Sequence, residues 1–181
     1  MKKIILLLLI GFSGYCQTKQ NDTDFYLENG KVYWQHIYEV PGKNTEDLIK
    51  YFEKEVMINI KLDNFQIIEN TASFTINDDK INYKKYGGTT MGTAMFVLDY
   101  YKYLVVIDFK DQKYRVTIKD IFIESKLYTA QSSGYIEEYI TKKKNTLFTT
   151  NNLAVTGITY IHKHFLEKFE RNSTDSTKKD W

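Results

Sequence analysis

Three histidines, His36, His162 and His164, are the side chains best suited to acid–base or metal chemistry in this sequence. His162 and His164 stand two apart, so on a helix they point about 200° from each other and cannot share an ion. Helical metal pairs use a spacing of four. His36 lies in an apolar run with no second ligand nearby, so it reads as a packed or hydrogen-bonded side chain. Gly87-Gly88-Thr89-Thr90-Met91-Gly92 has the composition of a phosphate loop. It lacks the terminal Gly-Lys-Ser/Thr and is followed by no clear helix, so it reads as a flexible hairpin. Ser132-Ser133-Gly134 lacks the flanks of a nucleophile elbow. Asp78-Asp79 reads as a solvated turn, and Glu53 and Glu55 diverge on a helix, so neither makes a split acid–base pair. Lys142-Lys143-Lys144 reads as a solvated loop. These patterns predict no catalytic residue, no metal site and no cofactor.

The elements that would position any site are clearer. Lys31 to Val40 (KVYWQHIYEV) is rich in β-branched and aromatic residues and reads as a strand. Val32, Trp34, His36, Tyr38 and Val40 share one face, and Tyr33, Gln35, Ile37 and Glu39 the other. Pro41-Gly42 ends it as a turn. Asn44 can cap a helix over Thr45–Met57, with Leu48, Ile49, Phe52 and Val56 on its apolar stripe. Phe65 to Ile76 reads as two strands broken near Glu69-Asn70, and Asn77 to Gly92 as a turn-rich connection. Thr93 to Phe109 reads as a long strand, Lys110-Asp111-Gln112-Lys113 as a hairpin connection, and Tyr114 to Ile123 as an alternating strand. In that last strand Tyr114, Val116 and Ile118 face inward, and Arg115, Thr117 and Lys119 outward. Tyr135, Ile136, Tyr139 and Ile140 suit a short helix. Asn152 to Phe169 is a closing helix with Ile158, Ile161, Phe165 and Phe169 on one stripe, and with Lys163, Glu167, Lys168 and Glu170 as solvent-facing candidates. The order is β-α-β4-α, an α+β domain. Two amphipathic helices on one face of a curved antiparallel sheet is the simplest arrangement that covers that face.

The sequence resembles a family of exported bacterial domains of unknown function with a TATA-binding-protein-like fold. The residues that carry the resemblance are the strand end Tyr38-Glu39-Val40-Pro41-Gly42, the helix opening Asn44-Thr45-Glu46-Asp47-Leu48, and the hairpin from Ile107 to Ile118. It spans about Lys31 to Ser125. It implies a TBP-like fold and no activity, since a fold does not define a function. The stretch Tyr128 to Thr150 departs from the pattern, and specialisation of this chain is expected there.

Residues 1–16 (MKKIILLLLIGFSGYC) have a basic start, a short apolar middle and small residues at Gly14 and Cys16. This is the pattern of a secretory signal, too short to cross a bilayer. Tyr15 before Cys16 fits plain secretion better than a lipid anchor on Cys16. The expected organisation is a signal over 1–16, a polar leader over 17–30, one TBP-like domain over 31–171, and a polar tail over 172–181. The place is the periplasm, the outer-membrane surface or the medium. The chain carries 25 Lys+Arg against 23 Asp+Glu, and loss of Lys2 and Lys3 leaves 23 against 23. A neutral exported domain argues against nucleic acid as partner. A protein, glycan or small ligand of the envelope is the expected partner class. The sheet face away from the helices would carry Tyr33, Gln35, Ser73, Thr75, Arg115, Thr117 and Lys119. Tyrosine and arginine are recognition residues, so this is the candidate interaction face of a non-catalytic binding module, with an enzyme of atypical site or a structural subunit of the envelope as the alternatives.

Overall fold

Asn29 and Gly30 both adopt positive φ (51° and 76°) and turn the chain between two strands in register, Phe25–Glu28 (β2) and Lys31–Glu39 (β3). An Asn-Gly pair between alternating apolar residues is the strongest short-range hairpin signal. This computed structural model describes residues 17–56, 62–126 and 132–170. The signal segment with Cys16, the expected helix end at Met57 and the polar tail lie outside the described residues. The segment 17–30, expected as a leader, instead contributes Thr18–Lys19 (β1) and β2 to the main sheet. Its Phe25 and Leu27 are buried, which gives these strands their reason to dock.

Beyond β3 come a helix over Thr45–Tyr51 (α1), continued as a π-helical turn over Phe52–Val56, then strands Leu62–Ile68 (β4) and Thr71–Lys80 (β5). Asn44 caps α1, its side chain accepting from the Asp47 amide at 2.9 Å. A short helix over Met95–Leu98 (α2) precedes strands Tyr100–Lys110 (β6) and Lys113–Glu124 (β7). The long strand expected from Thr93 thus begins only at Tyr100, and Asn77–Lys80, expected in the connection, belong to β5. Gly134–Tyr135 (β8), a helical turn over Glu137–Ile140 (α3) and a small hairpin of Thr141–Lys142 (β9) and Leu147–Phe148 (β10) come next. The helix Asn152–Phe169 (α4) closes the domain, with Asn151 accepting from the Leu153 and Ala154 amides.

The main sheet is antiparallel, in the order β1-β2-β3-β7-β6-β5-β4, with β8 beside β7. One face carries Trp34, Phe74, Tyr103, Val105, Ile107, Val116 and Ile118, all buried. Both long helices lie on it. The Phe52 ring packs edge-on to both Tyr114 (4.9 Å between centroids) and Phe109 (5.2 Å). From α4, Phe165 meets Tyr103 at 5.1 Å, Trp34 at 5.6 Å and Phe25 at 6.2 Å. Two long helices on one face of a curved antiparallel sheet is the architecture the residue pattern predicts. Register shifts at Asp63/Gln66, Ile76/Asp79 and Lys102/Leu104 interrupt the ladders. Such bulges bend strands and change which face the next residues occupy.

Candidate functional site

The face opposite the helices is a grid of cross-strand rows. Gln35 of β3 pairs with Thr117 of β7, Thr117 with Val106 of β6, and Val106 with Ser73 of β5. Gln35 Nε2 donates to Thr117 Oγ1 at 3.1 Å, and Gln66 Nε2 to Ser73 Oγ at 3.0 Å. The next row runs Ile37, Arg115, Asp108, Thr71. Arg115 donates through Nε and Nη2 to Asp108 Oδ2 (3.1 and 2.8 Å), and Thr71 Oγ1 to Asp108 Oδ1 (3.0 Å). On the other side of the Gln35 row, Thr75 pairs with Leu104 and Leu104 with Lys119. All seven residues picked out from the sequence therefore share one face, because alternation in an unbulged strand fixes the side of each.

Five of the seven, Tyr33, Gln35, Arg115, Thr117 and Lys119, line a single cleft of about 470 Å³. Thr75 borders an adjoining depression of about 480 Å³ on the far side of Leu104. Ser73 lies further along the sheet, bonded to Gln66. Tyr33 forms one wall of the cleft. Its ring stacks on Tyr26 (5.4 Å, 18° between planes) and its hydroxyl accepts from Gln17. Burial, and then the nearby Glu28 charge, push the Tyr33 phenol above its ordinary pKa, so it stays a neutral donor.

The inner wall holds a residue that sequence pattern does not single out. The β3–β7 ladder stops at the pair Trp34–Ile118. Beyond it β7 turns through Asp120 (φ 51°), and β8 and α3 fill the space, the Ile136 amide bonding Ile121 O at 2.9 Å. Val32 thereby loses a strand partner for its amide, and Glu137 Oε1 takes that N–H at 2.9 Å. Glu137 is 4% exposed, and its second oxygen, Oε2, has no hydrogen-bond partner. A buried acceptor left unpaired costs about 1–3 kcal/mol, more when charged. Glu137 lies within the 128–150 stretch that the sequence resemblance does not cover, and it also lines the cleft. Its sequence neighbours Ile136 and Ile140 carry the apolar stripe, so on periodicity alone it passes for one more polar flank.

The histidines lie on the covered face and divide as their spacing requires. His162 Nδ1 accepts from Trp34 Nε1 (3.0 Å) and from the Asp24 amide (3.3 Å), which fixes the tautomer with the proton on Nε2. Burial, ahead of a partly opposing Asp24 charge, lowers its pKa. His36 Nδ1 lies 2.6 Å from Asp24 Oδ2, and Lys19 Nζ 2.9 Å from Asp24 Oδ1. His164, pointing the other way, meets Asp79. Contrary to the sequence expectation, Asp79 is no solvated turn residue. The bulge at Asp78 (φ 57°) rotates it onto the covered face, where its carboxylate is 8% exposed. It accepts from Tyr103 Oη, His164 Nε2 (3.0 Å) and Lys168 Nζ (2.6 Å). Lys168, expected to face solvent, is therefore an internal partner. Burial alone would raise the Asp79 pKa, but the His164 and Lys168 bonds and charges outweigh it and hold the carboxyl well below the usual range. The network is closed by its own members and braces α4 to β5 and β6. Among the described residues no cluster of three or more His, Cys, Asp or Glu is placed to hold a metal ion.

Among solved structures the chain is similar to a TBP-like protein from Parabacteroides distasonis, with a TM-score of 0.50, 14% identity, and coverage of 78% of this chain and 92% of that one. It is also similar to a DUF4468 family protein from Bacteroides ovatus, with a TM-score of 0.48, 17% identity, and coverage of 81% and 90%. No family model and no curated protein matches the sequence. At these identities the likeness is one of fold: an open, curved, TBP-like α+β sheet.

Proposed function

We propose that this chain is an exported, non-catalytic binding module that takes a small polar ligand on its open sheet face. The observation that carries the reading is the cleft itself. Five recognition-type side chains converge on about 470 Å³ of space, within the roughly 300–1,000 Å³ range of small-molecule sites. Hydroxyl, amide, guanidinium and ammonium groups meet beside one aromatic wall. The Asp79–His164–Lys168 network adds no catalytic group to the cleft, because it is occupied by its own bonds and lies on the other face. Export rests on the residues 1–16 pattern. No helix among the described residues is long and apolar enough to cross a membrane.

The test is a titration of the mature protein, wild type and the Tyr33→Ala and Arg115→Glu variants, with neutral sugars, amino sugars, dipeptides and polyamines, read by amide NMR. Tyr33→Ala should weaken a cleft-binding ligand about tenfold or more, and Arg115→Glu, which breaks the Asp108 pair and makes the cleft more negative, should change its affinity by a similar factor, with the wild-type circular dichroism kept in both. A ligand held equally well by all three proteins refutes the site. Host-derived protein that still begins at Met1, rather than at Gln17, refutes export.

A further inference from the structure

We infer that the ligand of the cleft carries an ammonium group, and that Glu137 receives it. The inference rests on the reading of the cleft as a binding site and adds the chemistry of what it binds. Glu137 is buried, it forms part of the cleft wall, and one of its carboxylate oxygens lacks any donor. Its other oxygen is committed to the Val32 amide, which holds the carboxylate in place. No Lys, Arg or His nitrogen of the described residues lies within ion-pair distance of it.

The surrounding charges do not compensate. Arg115 is spent on Asp108 through two bonds. With that pair set aside, the carboxylates of Glu28, Asp120 and Glu137 face the ammonium groups of Lys31 and Lys119. Lys31 Nζ lies 4.8 Å from the centroid of the Tyr135 ring, a cation–π position of its own. The cleft as a whole therefore combines one excess negative charge with an unfilled acceptor in its wall. A compact cation with several N–H donors is what that combination selects. A primary ammonium supplies the charge, and a metal ion would need further ligands that the described residues do not bring together. A neutral hydroxyl fills the same volume and can donate to the carboxylate, but it brings no opposite charge to it. Glu137 Oε2 is itself closed to solvent, so the group reaches it only as the cleft wall yields, and the exposed Lys119 and Asp120 side chains belong to that lining.

The experiment titrates wild type and Glu137→Gln with matched probe pairs, glucosamine against glucose and putrescine against butanediol, at millimolar concentration, reading backbone amide shifts. The Gln variant keeps the acceptor for Val32 and removes the charge. The amine of each pair should bind about tenfold tighter than its hydroxyl partner, move the Val32 amide, and lose its advantage in Glu137→Gln. Equal binding of amine and hydroxyl in the cleft overturns the ammonium inference and leaves the binding site standing. Shifts confined to residues outside the cleft, or none, overturn both. A preference that survives Glu137→Gln overturns the role of Glu137. Should that variant fail to fold, the wild-type Val32 amide decides: it must move with the amines and stay with the hydroxyl probes.

Discussion

Replacing Asp79 with Asn tests the claim that the buried Asp79–His164–Lys168 cluster is a brace. The change keeps the size of the side chain and an acceptor for the Tyr103 hydroxyl, while stripping Lys168 of its counter-charge. Breaking a buried ion pair from one side costs about 3–5 kcal/mol. Here Lys168 is 19% exposed and His164 16%, so part of the released charge reaches water, and about 2–3 kcal/mol is the expected loss at pH 7. For a domain of this size that corresponds to a fall in Tm of about 5–10 °C. The pH dependence supplies the sharper test. The Asp79 carboxyl is held well below its usual range in the folded state. Its contribution is fully present above the unfolded carboxylate pKa of about 3.9 and is lost as pH falls towards the folded value. The gap between wild type and variant should therefore persist down to about pH 5 and narrow below about 4, as the wild-type carboxylate protonates. Urea unfolding tracked by circular dichroism measures it. A loss under about 0.5 kcal/mol at pH 7, the scale of an exposed pair, or a gap that does not narrow below about pH 4, would refute the buried-brace argument.

Gly157→Ala should destabilise by about 1 kcal/mol despite the helix-propensity gain of about 1 kcal/mol. A Cβ there would lie 2.8 Å from Val97 Cγ2 and 3.0 Å from Phe96 Cζ, and a raised unfolding midpoint would show that α2 yields freely. His162 should titrate below the free imidazole value in an NMR pH series, with the proton on Nε2 of the neutral ring. Its stabilising effect is then complete above about pH 6.5 and lost as pH falls towards the folded pKa. A titration at or above about 6.5 would contradict the double-acceptor geometry at Nδ1.

Strand and helix identity in the central elements is legible because each shows one period over enough residues. The alternation in KVYWQHIYEV and in Tyr114–Lys119 puts the open-face residues on their correct side. The stripe Ile158, Ile161, Phe165, Phe169 likewise places α4. Legibility ends where the period fails. Residues 17–30 look polar overall, and only the Asn29-Gly30 turn between Phe25/Leu27 and Val32/Trp34 betrays a hairpin. Asp79 looks solvated in sequence because a single left-handed residue, Asp78, reverses the face of the strand beyond it. Glu137 carries no local signal because its burial depends on where β3 and β7 part, a fact of sheet geometry alone.

By itself the chain determined its element types, its covered face and the chemical character of the exposed one, since these arise from side-chain period and local turn chemistry. Tertiary structure alone decided which polar groups meet. Asp24 finds His36 across 12 residues, Asp79 finds Lys168 across 89, and Glu137 finds the Val32 amide across 105. Such long-range pairings depend on register, bulges and the docking of α3 and α4, which no short window of sequence encodes.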